Sequence, residues 1–319
     1  MAILVGIDEA GFGPLLGPLV VSSCSFAIPR QMLDADLWQV LKKSVSIKRA
    51  HLAGRLLITD SKKAYSKSIG IGHLKRTVLA CCRCFDKNPA TLTELIKILC
   101  PESLERLMEY PWHEDMTCYP ICAGTSDLNI ASNVFNDDMG ANGLKLLELK
   151  SCCLDVAFYN KMVSEVKNKS SVLFSTTSQL IKNAYDSFGT ECLQVLVDRQ
   201  GGRAHYRKGL QLMLPGAELK ILRESDTVSS YELEDNCRTM RIHFVVGADR
   251  KFLPVSLASM VSKFLRELLV DCMNRYFTSR CIGLQPTAGY WKDGLRFIAD
   301  LKRDFPDFRY DSNQLIRCR

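Results

Sequence analysis

An α/β domain is predicted by three features of the chain. Apolar runs of strand length occur at 2–8, 18–27 and 193–198. Segments of helical spacing alternate with them, at 73–85, 175–188 and 256–277. Two of the runs end in acidic residues followed by glycine-rich turns, as strands do at one edge of a sheet.

Taken in order, 2–8 (AILVGID) and 18–27 (PLVVSSCSFA) flank a Gly/Pro-rich turn and read as a β-hairpin at the centre of a sheet. His73–Phe85 follows LLITDSKK at 56–63 and has a basic opening, consistent with a helix leaving a phosphate-handling loop. At 86–147 the pattern changes: Pro89, Pro101, Pro111 and Pro120, helical pieces at 91–99 and 102–109 and a Gly/Asn/Asp patch at 136–143 predict an inserted lobe with a small core of its own. A strand is predicted at 152–159, a helix at 175–188 and a β-branched strand at 193–198. Residues 218–247 alternate around a polar turn at 225–238, which predicts an extended hairpin. A long helix from Ser256 to Phe277 carries Leu257, Val261, Phe264, Leu265, Leu268 and Leu269 on its apolar side. The chain thus divides into one domain from 1–85 and 148–277, the insert 86–147, and a C-terminal region 278–319.

With 47% hydrophobic and 24% charged residues the composition is that of a folded protein, which excludes wholesale disorder. The net charge is +7, and residues 250–319 hold 13 Lys/Arg against 7 Asp/Glu, so +6 of it lies there. A polyanion is the natural partner of such a surface, a solvated charged face being the plainer alternative. The start MAILVGIDEAG has no basic n-region or apolar h-region, and no apolar run reaches the roughly 20 residues of a membrane span. The expectation is a cytoplasmic monomer with reduced thiols and no membrane partner. Among 14 cysteines, Cys81, Cys82 and Cys84 cluster and Cys118 precedes Cys122 by four, but no pair of CxxC knuckles occurs, so structural zinc is not expected.

The sharpest feature is the run from Gly6 to Pro14, GIDEAGFGP, in which Asp8 and Glu9 end a buried strand before a glycine-rich turn. Burying two anions is expensive unless a cation is near, and hard divalent metals held by carboxylate oxygens answer that need; an acidic turn at a sheet edge is the bland alternative. Asp198 ends another apolar strand before Arg199-Gln200-Gly201-Gly202, and Glu267 on the long helix has Asp271 one turn later on the same face. Three or four acids converging from separate segments suit a pair of divalent ions, the arrangement that serves phosphodiester hydrolysis.

The run GIDEAGFGPLLGPLV closely resembles the N-terminal signature of the type 2 ribonucleases H, GxDEAGRGPxxGP. Further matches follow in order: Asp60-Ser61-Lys62-Lys63 is similar to the family's DSKK loop, and Val197-Asp198 through Gly201, Tyr206, Leu210 and Pro215-Gly216 to the segment around its third acid, especially in archaeal and eukaryotic members. Ala248-Asp249, then Pro254-Val255-Ser256 through Arg266-Glu267, resemble KAD…PVVSAASIxAKVxRD. Gly289-Tyr290 and Phe305-Pro306 with Phe308 resemble GYP and FPxF.

This resemblance implies a ribonuclease H-like fold, with a central mixed β-sheet flanked by helices and a helical C-terminal region. It implies an endonuclease that uses Mg²⁺ or Mn²⁺ to cut the RNA strand of an RNA–DNA hybrid duplex or of ribonucleotide-containing DNA, leaving 5′-phosphate and 3′-hydroxyl ends. By resemblance Asp8, Glu9 and Asp198 are catalytic and bind the metals, and Glu267 stands in for a fourth acid, normally aspartate. Gly11, Phe12 and Gly13 form the turn that reads the 2′-hydroxyl, Ser61, Lys62 and Lys63 face the backbone phosphates, and Tyr290 stacks on a deoxyribose. One departure is Phe12, which takes the place of the arginine of GRG; Arg199, Arg203 or Lys263 is the expected substitute cation. The rival reading is a catalytically altered or inactive ribonuclease H-like protein that binds nucleic acid.

Overall fold

A computed structural model describes residues 1–121 and 125–318. The nine strands of the described residues are β1 (Ala2–Ala10), β2 (Leu19–Ile28), β3 (Val45–Ser46), β4 (Leu56–Leu57), β5 (Lys145–Leu154), β6 (Cys192–Asp198), β7 (Glu218–Glu224), β8 (Val228–Asp235) and β9 (Arg238–Val245). Seven of them form one mixed sheet in the order β5-β2-β1-β6-β9-β8-β7. β1 pairs antiparallel with β2 and parallel with β6, and β6 pairs parallel with β9. This is the central mixed sheet flanked by helices expected of the ribonuclease H-like class.

β1 is apolar on both faces because helices cover both. Ala2 and Leu4 join one core with the long helix Leu253–Arg280, whereas Ile3, Val5 and Ile7 join a second core with the helices Val156–Val166 and Lys169–Phe188. Gly6 lies where β1 meets the start of the long helix, and a Cβ there would come within 2.2 Å of the Pro254 carbonyl carbon. Ser262 on the same helix donates to the Asp8 carbonyl at 3.0 Å and is hydrogen-bonded to Ser22 Oγ at 2.8 Å, which ties β1, β2 and the helix together below the acids.

Several expectations need correction. The strand expected at 152–159 is β5, which ends at Leu154. Asp155 accepts from Phe158 N at 2.9 Å and so caps a helix instead of prolonging the strand. The hairpin expected at 218–247 is a three-stranded meander, since Tyr231 and Leu233 inside the supposed polar turn are buried on β8. The Gly/Asn/Asp patch at 136–143 mostly continues the helix Thr125–Ala141, where buried Asp138 accepts from Ser44 N at 3.0 Å and Ser44 Oγ at 2.8 Å.

The segment 86–147 also lacks a core of its own. Leu92, Leu95, Ile96, Leu99, Met116 and Phe135 share the main core with the helix Gly72–Arg83 and the long helix, while Tyr110 and Trp112 join a third cluster with Phe277 and Phe297. Its prolines open short helical turns at Pro101 and Pro111, the second of which turns Trp112 and Met116 inward. Cys122 lies outside the described residues. Among the described residues no helix is long and apolar enough to cross a membrane.

Candidate active site

Parallel pairing of β1 with β6 in the register Ile7 to Val197 brings Asp8 and Glu9 to the same sheet edge as Asp198. β9 pairs with β6 as far as Asp198 and Val245, and the chain then turns through Gly247, at φ +63°, to Ala248 and Asp249. The Ala248 amide donates to Asp198 Oδ1 at 2.7 Å, so this left-handed turn seats Asp249 beside Asp198. Asp8 Oδ1 accepts from the Glu9 amide at 2.7 Å, and Asp8 is 7% exposed.

The four acids perturb one another. Burial pushes Asp8 well above the usual carboxylate range, and the charges of Glu9, Asp198 and Asp249 add to the effect. Burial, reinforced by Asp198, pushes Glu9 up to about 7. Burial raises Asp198 to about 6, with Asp249 adding and Lys62 and Arg250 opposing. Asp249 is raised by burial and by Asp60. Lys62 is the cation that lowers Glu9, Asp198 and Asp249 alike, so the DSKK loop faces the acids. That loop is held by Asp60, which accepts from the Lys62 amide at 2.9 Å, and by Ser259 Oγ, which donates to Ser61 Oγ at 3.0 Å.

Glu267 does not join this group. It sits 2.6 Å from Lys263 Nζ and 3.0 Å from Arg266 Nη1, all three side chains largely buried. Burial raises its pKa, but the two cations outweigh burial and leave the carboxyl below its ordinary value. Its charge is thus spent inside the long helix and against Tyr65, whereas Asp249 supplies the fourth carboxylate at the sheet edge. The readable signal for Asp249 was a Gly-Ala-Asp turn at 247–249, just after the end of a third strand.

Tyr290 is 49% exposed and lies 5.9 Å from Lys263 Nζ and 5.5 Å from Arg266 Cζ, measured to its ring centre, which puts it over the Glu267 ion pairs. Gly11 and Gly13 flank Phe12 in the turn after Glu9; Gly11 has φ +92°, and a Cβ there would strike the Pro18 carbonyl oxygen and Arg266. The three expected substitute cations all have partners of their own. Arg199 donates to Ser225 O and Ser229 Oγ at 2.8 Å, Arg203 lies over Phe174 and Tyr206, and Lys263 is bound to Glu267. Lys169 is the cation beside Phe12, 5.5 Å from its ring centre.

Among the described residues no three Asp, Glu, His or Cys side chains stand close enough together to chelate one ion as they are. What fits a hard divalent cation is the donor chemistry: four carboxylates from three strand ends, partly buried, mutually repelling, and opposed by Lys62 and Arg250. Without divalent ions, stability is therefore expected to fall as pH rises. Below about pH 4 the raised acids are protonated in both folded and unfolded chains; as pH rises through 6 to 7 the folded state must give up protons that the unfolded chain has already lost. Thermal melts in EDTA should show a loss of about 2 kcal/mol between pH 5 and 7.5, recovered by Mn²⁺ or by Asp8→Asn. A melting temperature flat across that range in EDTA would contradict the cluster.

The chain matches no protein-family model. It is 33% identical over 79 residues to ribonuclease HII of Methanocaldococcus jannaschii, a match that covers 24% of this chain and 29% of the relative's length. Among solved structures it is similar to ribonuclease HII of Archaeoglobus fulgidus in a complex with PCNA, at 14% identity and a TM-score of 0.48, covering 99% of this chain and 94% of the other. It is also similar to ribonuclease H2 of Pyrococcus horikoshii, at 13% identity and a TM-score of 0.47, covering 98% and 92%. The chain is thus similar to ribonuclease HII over a stretch of 79 residues, which spans less than a third of that relative's length.

Proposed function

We propose that this protein is an endoribonuclease that hydrolyses the RNA strand of RNA–DNA hybrids, leaving 5′-phosphate and 3′-hydroxyl ends. The observation that carries this reading is the group of Asp8, Glu9, Asp198 and Asp249, mutually raised in pKa at one sheet edge beside a glycine turn. These four would hold the metal. A bound Mg²⁺ or Mn²⁺ supplies Lewis-acid stabilisation of the charge that develops on a phosphodiester during hydrolysis.

The rest of the chemistry belongs to the chain. The Gly11–Gly13 backbone approaches the ribose and distinguishes its 2′-hydroxyl, which DNA lacks. Lys62 and Lys63, both exposed, hold the backbone phosphates, and Ser61 anchors their loop against the long helix. Tyr290 offers an exposed ring for a deoxyribose to stack on. With Phe12 in the turn, cleavage at single embedded ribonucleotides is weaker than cleavage of continuous hybrid, Lys169 supplying only a non-bidentate cation.

The test is incubation with labelled hybrid, a single-ribonucleotide duplex, double-stranded DNA and a four-way junction, in Mg²⁺ and in Mn²⁺. Cutting confined to RNA-containing strands and lost in Asp8→Asn is the expected result. Binding of hybrid with no cutting in either metal overturns the catalytic reading and leaves a nucleic-acid-binding protein.

A further inference from the structure

Arg317 is a fully buried guanidinium with which, among the described residues, no acid is paired. Its residue is 3% exposed, and the groups that shift its pKa are, after burial, the neighbouring Arg266, Tyr159 and Cys153, none of them a carboxylate. Burial pulls its pKa well below the usual arginine value. An unpaired buried cation is costly, so a fold that keeps one needs its donors at that place.

Those donors go to the glycine turn. Nε donates to the Gly17 carbonyl at 2.8 Å and Nη1 to the Gly11 carbonyl, across 300 and 306 positions of sequence. The Arg317 amide donates to Leu15 O at 2.9 Å, and Ile316 bridges Leu16 in antiparallel fashion. Leu15 and Leu16 in the middle of this turn are buried against Phe277 and Phe297, whereas Gly11 and Gly17, at φ +92° and +82°, offer no side chain, so their backbone carbonyls are the groups that the guanidinium holds. The guanidinium also lies 4.8 Å from the Tyr159 ring centre, and its Nη2 has no hydrogen-bond partner among the described residues. Asn160 secures the segment from outside, donating to Ile316 O at 2.9 Å and accepting from the Cys318 amide at 2.7 Å.

We propose that residues 311–318, through Arg317, are a latch that sets the conformation of the Gly11–Gly17 turn and thereby positions the ribose-facing backbone next to Asp8 and Glu9. The functional half of this inference rests on the reading of the site as a hybrid-cleaving one; the mechanical half does not. Arg317 is a positioning residue, because its guanidinium is sealed beneath the turn and acts through the carbonyls of Gly11 and Gly17.

Hydrogen exchange of the full chain separates the two halves. In Arg317→Met, amides between Gly11 and Gly17 should exchange at least about tenfold faster while the sheet keeps its protection. Asn160→Ala, which leaves the turn and the guanidinium intact, should give a smaller increase in the same amides, and it decides the matter if Arg317→Met does not fold. Unchanged exchange in the turn overturns the latch. With wild-type cleavage established, Arg317→Met should lower kcat on hybrid about tenfold or more, narrow the preference for hybrid over DNA and leave KM nearly unchanged; Arg317→Lys, which can reach one carbonyl, should recover part of it. Faster exchange with kcat and preference both intact overturns the positioning role. Faster exchange in a protein whose wild type cuts no substrate leaves the latch standing and refutes the hybrid-cleaving reading instead.

Discussion

Asp249→Asn is expected to lower hybrid cleavage by more than about a hundredfold and to weaken Mn²⁺ binding, with no loss of folding stability in EDTA. The reason is its place: Asp249 shares the sheet edge with Asp8 and Asp198, raises the pKa of both, and faces the cations Lys62 and Arg250. Removing one of several repelling acids relieves the apo protein and deprives the metal of a donor. Glu267→Gln should do the opposite. It leaves Lys263 and Arg266 as buried cations without their carboxylate, at a cost of about 3 kcal/mol, and it leaves Mn²⁺ affinity close to that of the wild type. Isothermal titration with Mn²⁺ and urea melts of the two variants distinguish these outcomes. If Glu267→Gln loses the metal while Asp249→Asn keeps it, the assignment of the fourth acid is wrong.

Gly6→Ala is expected to destabilise the protein by about 3–5 kcal/mol, among the largest effects of a single methyl group anywhere in the chain. The added carbon would meet Pro254 C at 2.2 Å, Val255 N at 2.3 Å and Pro254 O at 2.5 Å, all of them backbone atoms that no rotamer change can move. Relief requires the long helix to retreat from β1. The same retreat breaks the Ser262 bond to the Asp8 carbonyl and the Ser259 link to the DSKK loop, so residual activity in the folded fraction should fall as well. A urea midpoint equal to that of the wild type would show that helix and strand do not make this contact.

The acids at strand ends were legible because they combine two local signals, a buried β-branched run and a carboxylate at its close. Asp8, Glu9 and Asp198 could be placed at a common edge on that basis, and parallel pairing of β1 with β6 does place them there. Glu267 misled because helical spacing reports which face a residue occupies, not what shares that face. Lys263, four residues earlier on the same helix, neutralises it at 2.6 Å. The segment 86–147 misled for a related reason: prolines and small polar residues mark breaks in regular structure, but Leu92, Ile96 and Phe135 between those breaks still seek apolar cover, and the nearest cover is the main core.

By itself the sequence determined the strand-and-helix alternation, the likeness to the type 2 ribonucleases H and three of the four acids, since each is written in residues close together in the chain. Only the tertiary structure decided that Asp249 lies beside Asp198 while Glu267 pairs with Lys263 and Arg266, that Lys169 stands by Phe12, and that Arg317 donates to the carbonyls of the glycine turn. Those outcomes depend on which distant segments share a neighbourhood. Burial and charge there are sums over all segments that meet, and no local pattern contains such a sum.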